Sequence, residues 1–383
     1  MFHSSYIEIS KSALQNNIRF LKQQVGPNVT FSSVIKGNAY GHGIEVFGPL
    51  AQACGIDHFS VFSADEALRL QDALPRPATI MIMGYIDNPE LEWAIQHDIE
   101  FFVFEPDRLT EAAKAAEKIG KPARVHIELE TGMNRTGFSL SELEQLKTIL
   151  QKCRPHVVLQ GLCTHFAGAE SYQNHERVMA QQQSFQAQRQ ALEERGLVPN
   201  QTHTACSAAM MGYRDTHMDM VRVGIMQYGF WPSPEVYSQY VSRQKDRTDP
   251  LQRLINWKSR IMSLKQVPQG EFVGYGSSFQ APRDMVMAVV PVGYAWGYSR
   301  SLSNQGQVLI QGQQAGVVGI VNMNVMMVDV TDIPNVQKED EVVLLGKQGS
   351  QSISVASFSE LSSQLNYELL TRLPLNIPRI VVA

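Results

Sequence analysis

The feature that most constrains this chain is a repeated beat, in which short apolar strand-like runs alternate with helix-length segments across its first two-thirds. FSSVIK, starting at Phe31, is followed by a helix-like segment from about Ile44. HFSVF (His58 to Phe62) leads to Ser63, placed to cap the helix pattern ADEALRLQDAL, and ATIMIM leads to NPELEWAIQH. IEFFVF precedes PDRLTEAAKAAEKIG, ARVHIEL precedes a loop and SLSELEQLKTILQK, and VVLQGLCTHF precedes a long Gln-rich helix ending near Gly196. THTAC and MVRVGI complete eight strand candidates. Strands spaced in this way pair in parallel through right-handed crossovers, and eight units close into a (β/α)8 barrel. An open doubly wound sheet is the alternative, but no G-x-G-x-x-G turn opens the first helix.

Past about Pro232 the rhythm changes. RLINWKSRIMSLKQV, DMVMAVVPVGY, GQVLIQG, QAGVVGIV, NVMMVDV and DEVVLLG are strand-like runs joined by Gly, Pro, Asn and Asp, with one helix pattern, SFSELSSQLNYELLTRL. The expected architecture is therefore α/β: a TIM-type barrel over residues 1–234 and a mostly β domain over residues 235–383. SPEVYSQYVSRQKDRTDP reads as an irregular linker, and the strand-like YIEIS within residues 1–10 can pair with the β domain. A length of 383 residues suits two such domains.

Composition narrows the partners. Hydrophobic residues make up 44% and charged residues 18%, the profile of a folded chain. A net charge of −4 without a long basic run gives no electrostatic reason to expect nucleic acid or an anionic membrane. No leader-like or membrane-spanning apolar stretch is present, so a cytoplasmic location is expected. Cys54, Cys153, Cys163 and Cys206 form no C-x-x-C pair and read as reduced thiols, with no metal site.

In a barrel the chemistry gathers where strands end and loops begin. Those positions carry Lys36, Arg135, His165, Ser207 and Gly224, a set suited to a phosphorylated ligand. Lys36 ends an apolar run and enters the glycine-rich turn GNAYGHG. A lysine held on a rigid strand end can form a Schiff base and exchange protons. A surface salt bridge is the alternative for Lys36.

VIKGNAYGHG resembles the cofactor-lysine signature of the alanine racemases. The likeness continues in order through TGMNRTGF, THFAGAE, HTACSAA, MVRVGI, VGYGSSF, VPVGYAWGYSR and NYELLTRLPLNIPRI. It implies a pyridoxal 5′-phosphate (PLP) enzyme with a barrel, a C-terminal β domain and a homodimer sharing its active sites. Carried over position by position, it implies that Lys36 holds PLP and is one acid/base group, while Tyr275, supplied by the other subunit, is the second on the opposite face. It implies phosphate donors at Tyr40, Ser207 and the amides of Gly224 and Ile225, and Arg222 donating to the pyridine nitrogen with His203 behind it. His165 is expected beside the cofactor, and Arg135, Tyr294 and Met323 on the substrate side.

Some positions depart from the family pattern. Glu128 stands where many members have a carbamylated lysine and is expected to pair with Arg135 directly. Ile320, Asn322 and Asn324 replace an arginine, a cysteine and an aspartate; Trp296 replaces an aspartate and Leu375 a tyrosine. These changes imply a wider, more apolar mouth that discriminates side chains weakly. The resemblance implies interconversion of L- and D-alanine for cell-wall precursors. A racemase of another or broader set of amino acids, a PLP-binding protein without turnover and a PLP-dependent decarboxylase remain the alternatives.

Overall fold

A computed structural model describes residues 3–354 and 366–383. They fall into two compact units, one comprising Ala13–Ala39 and Phe47–Gln252, the other Met1–Ser12, Tyr40–Val46 and Arg253–Ala383. In the first unit, eight strands lie side by side. They are β2 (Thr30–Val34), β3 (His58–Val61), β4 (Thr79–Ile82), β5 (Glu100–Val103), β6 (Ala123–Glu128), β7 (Val157–Cys163), β8 (Gln201–His203) and β9 (Met220–Val223). Every neighbouring pair from β2 through β8 is parallel, and β9 pairs with β2. The ring is nearly closed where Cys206 bridges Arg222 and the Arg222 amide donates to the Ala205 carbonyl at 3.0 Å. All eight expected strands are present.

The helices between them follow ordinary local rules. Pro106–Ile119 begins with proline at its first turn, buries Leu109, Ala112, Ala113 and Ala116 on one face, and ends at Gly120 with φ +72°. Asn88–Gln96 opens with a reciprocal capping box between Asp87 and Glu90. Ser63 does precede the helix Ala64–Ala73, but its hydroxyl donates to Asp65 instead of capping the helix.

Two expectations need correction. The segment expected to be an irregular linker contains the helix Pro234–Ser242, whose N-terminus is capped by Ser233 accepting from the Val236 amide at 3.2 Å. The chain beyond it is tied back to the barrel unit: Asn16 donates to the Pro250 carbonyl at 2.7 Å, and Asn17 exchanges bonds with the Gln252 backbone. The division therefore falls after Gln252 and not at 234/235.

The second unit is built on β1 (Ser5–Ser10), β10 (Ile255–Arg260), β11 (Ser263–Val267), β12 (Met285–Val290), β13 (Gln307–Ile310), β14 (Gln313–Val318), β15 (Met326–Asp329), β16 (Glu341–Gln348), β17 (Gln351–Ile353) and β18 (Arg379–Val382). The path runs β11-β12-β15-β14-β13-β16-β10-β1-β18, with β17 beside β16. β1 lies antiparallel to β10 and parallel to β18. Its alternating burial puts Ile7 and Ile9 in the core. Of the expected helix SFSELSSQLNYELLTRL, Asn366–Thr371 is helical, and the part preceding it lies outside the described residues. Among the described residues no helix is long and apolar enough to cross a membrane, and no His, Cys, Asp or Glu cluster could hold a metal.

Candidate active site

Lys36 stands two residues past the end of β2, after Ile35, and the backbone after it turns the wrong way for L-residues. Gly37, Asn38, Ala39 and Tyr40 have φ of 62°, 55°, 53° and 50°, a full left-handed turn in which only the first residue is glycine. Such a turn persists only where its surroundings hold it. Here Glu66 accepts from the Asn38 amide at 3.0 Å and from the Phe62 amide at 2.9 Å, while Arg69 donates to the Asn38 side-chain oxygen at 2.7 Å. The helix Ala64–Ala73 thus fixes the turn that carries the lysine. Glu66 and Arg69 were not among the expected site residues.

Lys36 retains solvent access, yet loss of hydration around its amine is the main force lowering its pKa, reinforced by Arg135 and Arg222 and opposed by Glu66. The effect enlarges the neutral, nucleophilic fraction of the amine. His165 is pushed down to about 3 by burial, then by the charges of Arg222, Arg135 and Lys36, and stays a neutral imidazole. The barrel unit therefore brings Lys36, Arg135, Arg222 and His165 into one electrostatic neighbourhood.

Arg222, on β9, is 5% exposed, and its terminal nitrogens are committed to protein acceptors. Nη1 donates to His203 Nδ1 and, at 3.0 Å, to the His203 carbonyl; Nη2 donates to the Thr164 and Thr204 carbonyls at 2.8 and 3.2 Å. Nε has no protein partner among the described residues. Ser207, at the start of the helix Ser207–Gly212, accepts from the Gly224 amide at 2.9 Å, and Ile225 opens the turn Ile225–Tyr228 that follows β9. Two expected phosphate positions are thus adjacent.

Glu128 does not behave as expected. Its carboxylate accepts from the Thr136 hydroxyl at 2.7 Å, and no ion pair joins it to Arg135 among the described residues. The loop carrying Arg135 is instead gathered by Glu130, which accepts from the amides of Gly132, Asn134 and Arg135. A nearby carboxylate that takes three amides in its own loop leaves the exposed guanidinium of Arg135 available to an outside anion.

In the other unit, Tyr275 sits between Gly274 and Gly276, with φ of 76° and 72°, and is 73% exposed. A Cβ on Gly276 would lie 3.3 Å from Ile320 Cδ1, which places this turn against the Ile320 loop. The Tyr294 and Ala295 amides donate to the carbonyls of Asn322 and Met323, both at 3.0 Å, an approach that leaves no room for a side chain at Gly293. Tyr275, Tyr294 and Met323 are therefore presented by neighbouring loops, all three exposed. Tyr40 is in the same unit, half-buried, with its carbonyl 3.0 Å from His42 Nδ1. Leu375 is 66% exposed, and its carbonyl accepts from Arg379.

The donor set fits PLP in kind. An amine with a lowered pKa suits an aldehyde, the Ser207 hydroxyl and the Ile225 amide suit a phosphate, with the Gly224 amide donating to Ser207 beside them, and Arg222 offers a spare N–H to a ring nitrogen.

Comparison with known proteins agrees. The profile of the alanine racemase N-terminal domain matches residues 9–232, and that of the alanine racemase C-terminal domain matches residues 254–381. The chain is 35% identical over 380 residues to an alanine racemase of Leptospira interrogans, covering 99% of this chain and 96% of that protein. The solved alanine racemase of Clostridium difficile superimposes with a TM-score of 0.91 at 27% identity, covering 100% of this chain and 96% of that one. A histidine racemase of Leuconostoc mesenteroides gives 0.88 at 26% identity, with coverage of 100% and 99%.

Proposed function

The chain belongs to the alanine racemase family, and from that premise we propose that it is a PLP-dependent racemase interconverting L- and D-alanine. The observation that carries this reading is the placement of Lys36, whose amine is driven toward its neutral form beside Arg135, Arg222 and a neutral His165. Bound PLP would supply an electron sink for the charge left when the α-proton departs. Lys36 would hold the cofactor and move the α-proton on one face; Tyr275 of the partner subunit would serve the other face. Inversion needs two such groups, because one base returns the proton to the side it came from.

The remaining residues would bind and orient. Ser207, the Ile225 amide and the Tyr40 hydroxyl would take the phosphate, with the Gly224 amide donating to Ser207 beside them. Arg222, an obligate donor, would hold the ring nitrogen unprotonated and so limit charge delocalisation. Arg135 would receive the substrate carboxylate as a planar fork, with Tyr294 and Met323 lining the approach. The exposed Tyr275 favours a homodimer in which each subunit lends its phenol to the other. A cytoplasmic setting suits this chemistry.

A second reading, a racemase acting on larger amino acids, is favoured by Leu375, Ile320 and Trp296 in place of polar or bulky polar groups, and by the likeness to a histidine racemase. One experiment separates the two. Purified protein with PLP is incubated with single amino acids in deuterium oxide, and α-proton loss and chirality are followed. Exchange with inversion of alanine at the highest kcat/KM supports the first reading. A higher value for a larger side chain supports the second, and exchange without inversion or release of carbon dioxide refutes both.

A further inference from the structure

Arg222 does not end at His203. His203 Nε2 lies 2.8 Å from His126 Nδ1, and His126 Nε2 lies 2.9 Å from Glu100 Oε2. All four side chains are buried, with Arg222 at 5%, His203 and His126 at 0% and Glu100 at 2% exposure. They come from four strands, β9, β8, β6 and β5, so the line crosses the barrel interior. Phe102 flanks it, its ring 6.0 Å from His126 and 5.8 Å from His203 between centroids.

The chemistry of the two ends sets the direction of every bond between them. Arginine can only donate, so His203 Nδ1 must accept and its proton must sit on Nε2. His126 Nδ1 then accepts, and its own proton on Nε2 reaches the Glu100 carboxylate. The result is a cation and an anion joined through two neutral imidazoles, with all donors pointing from Arg222 to Glu100. Protonating His203 or reversing the line sets N–H against N–H at Arg222, and protonating His126 sets N–H against N–H between the two imidazoles. At the far end, Glu100 and His58 line an open cavity at the N-terminal ends of the barrel strands. His58 Nε2 lies 3.7 Å from Glu100 Oε2, and its Nδ1 lies 2.9 Å from the Ser32 hydroxyl.

We propose that Glu100 and His126 are positioning residues for Arg222: Glu100 is its remote counter-ion, and the imidazole line fixes which guanidinium nitrogen is left to face the cofactor ring. The two terminal nitrogens are held by His203, Thr164 and Thr204, so the free donor is Nε. This inference rests on the proposed PLP role of Arg222, and its test has two arms.

The first uses full-length wild-type protein labelled with 15N in its imidazoles. At neutral pH both His126 and His203 are expected to be neutral and protonated on Nε2. An imidazolium, or an Nδ1 proton on either residue, overturns the proposal whether or not PLP binds. The second uses the PLP-loaded Glu100→Gln variant, which keeps an acceptor for His126 but removes the counter-charge. The cofactor absorption band is expected to shift, PLP dissociation to rise on the order of tenfold and kcat to fall by a similar factor, with KM moved less than about twofold. An unchanged band, PLP affinity and kcat, alongside nothing more than a lowered melting temperature, would reduce the line to core packing and overturn the proposal. Wild-type protein that takes up no PLP refutes the proposed function instead, and the first arm still reads the line.

Discussion

Three histidines lie inside the barrel unit with their pKa values lowered, His126, His165 and His203. A lowered histidine pKa means that the unfolded chain binds the proton more readily than the folded one, so stability is full above the ordinary histidine pKa and falls as the solution is acidified. For His165 the window runs from 6.5 down to about 3. Glu100 adds to the same slope lower down. Burial raises its pKa, but hydrogen bonding to His126 and its charge neighbours hold it at about 2, so its stabilisation is lost as pH falls below 4.5. Urea midpoints of the cofactor-free protein should therefore drop between pH 7 and 4 with an uptake of more than one proton on unfolding, and His165→Phe should flatten the upper part of that curve. A flat profile over this range would mean that these imidazoles are charged in the fold. At this scale the candidate site was partly legible. Lys36, Arg222 and Ser207 stand at the ends of readable strands, whereas Glu100 and His126 sit within apolar strand runs, where a polar residue gives no hint of what it faces. Glu128 was expected to pair with Arg135 because it stands where the family resemblance puts a carbamylated lysine, but the local turn hands its carboxylate to Thr136.

The same line of side chains makes a demand on its neighbouring strand. Gly161 on β7 stands in register with His126 on β6, and a Cβ there would overlap the imidazole, lying 2.7 and 2.8 Å from two of its carbons. Gly161→Ala should cost about 1–3 kcal/mol of stability by overpacking. It should also displace His126, so its effect on PLP affinity should exceed that of a core variant of equal stability loss; equal effects would argue against a special place for the ring. Strands and most helices were legible because their periods are strong. The helix Lys11–Val25 carries Leu14, Ile18, Leu21 and Val25 at helical spacing, a usable signal that lies ahead of the first β/α beat. The turn after Lys36 was legible as a turn from its glycines, but not its left-handed sense at Asn38, Ala39 and Tyr40, which depends on Glu66 and Arg69 from the next helix. Pro234–Ser242 was hidden by its polar composition, since only Val236 among its residues is buried.

For the molecule as a whole, the proposed sharing of sites makes a quantitative claim. Lys36→Ala and Tyr275→Phe should each lose nearly all racemase activity. When the two inactive proteins are unfolded, mixed in equal amounts and refolded together, half of the dimers should be mixed, each with one intact site, and the rate should recover to about a quarter of wild type. No recovery would place both groups on one chain. The two-part architecture was legible from the change of rhythm near Pro232, but the exact division was not, because Asn16 and Asn17 near the N-terminus decide where residues 250 and 252 belong.

β1 lies between β10 and β18, so a strand that precedes the barrel in the chain is flanked by two that follow it. During translation it emerges from the ribosome long before either neighbour exists, while the strands β2 to β9 can already assemble. β1 therefore waits as an unpaired edge until β10 is made, and β18 adds last at one end of the sheet path, the end opposite β11 and β12, the strands that flank Tyr275 in the chain.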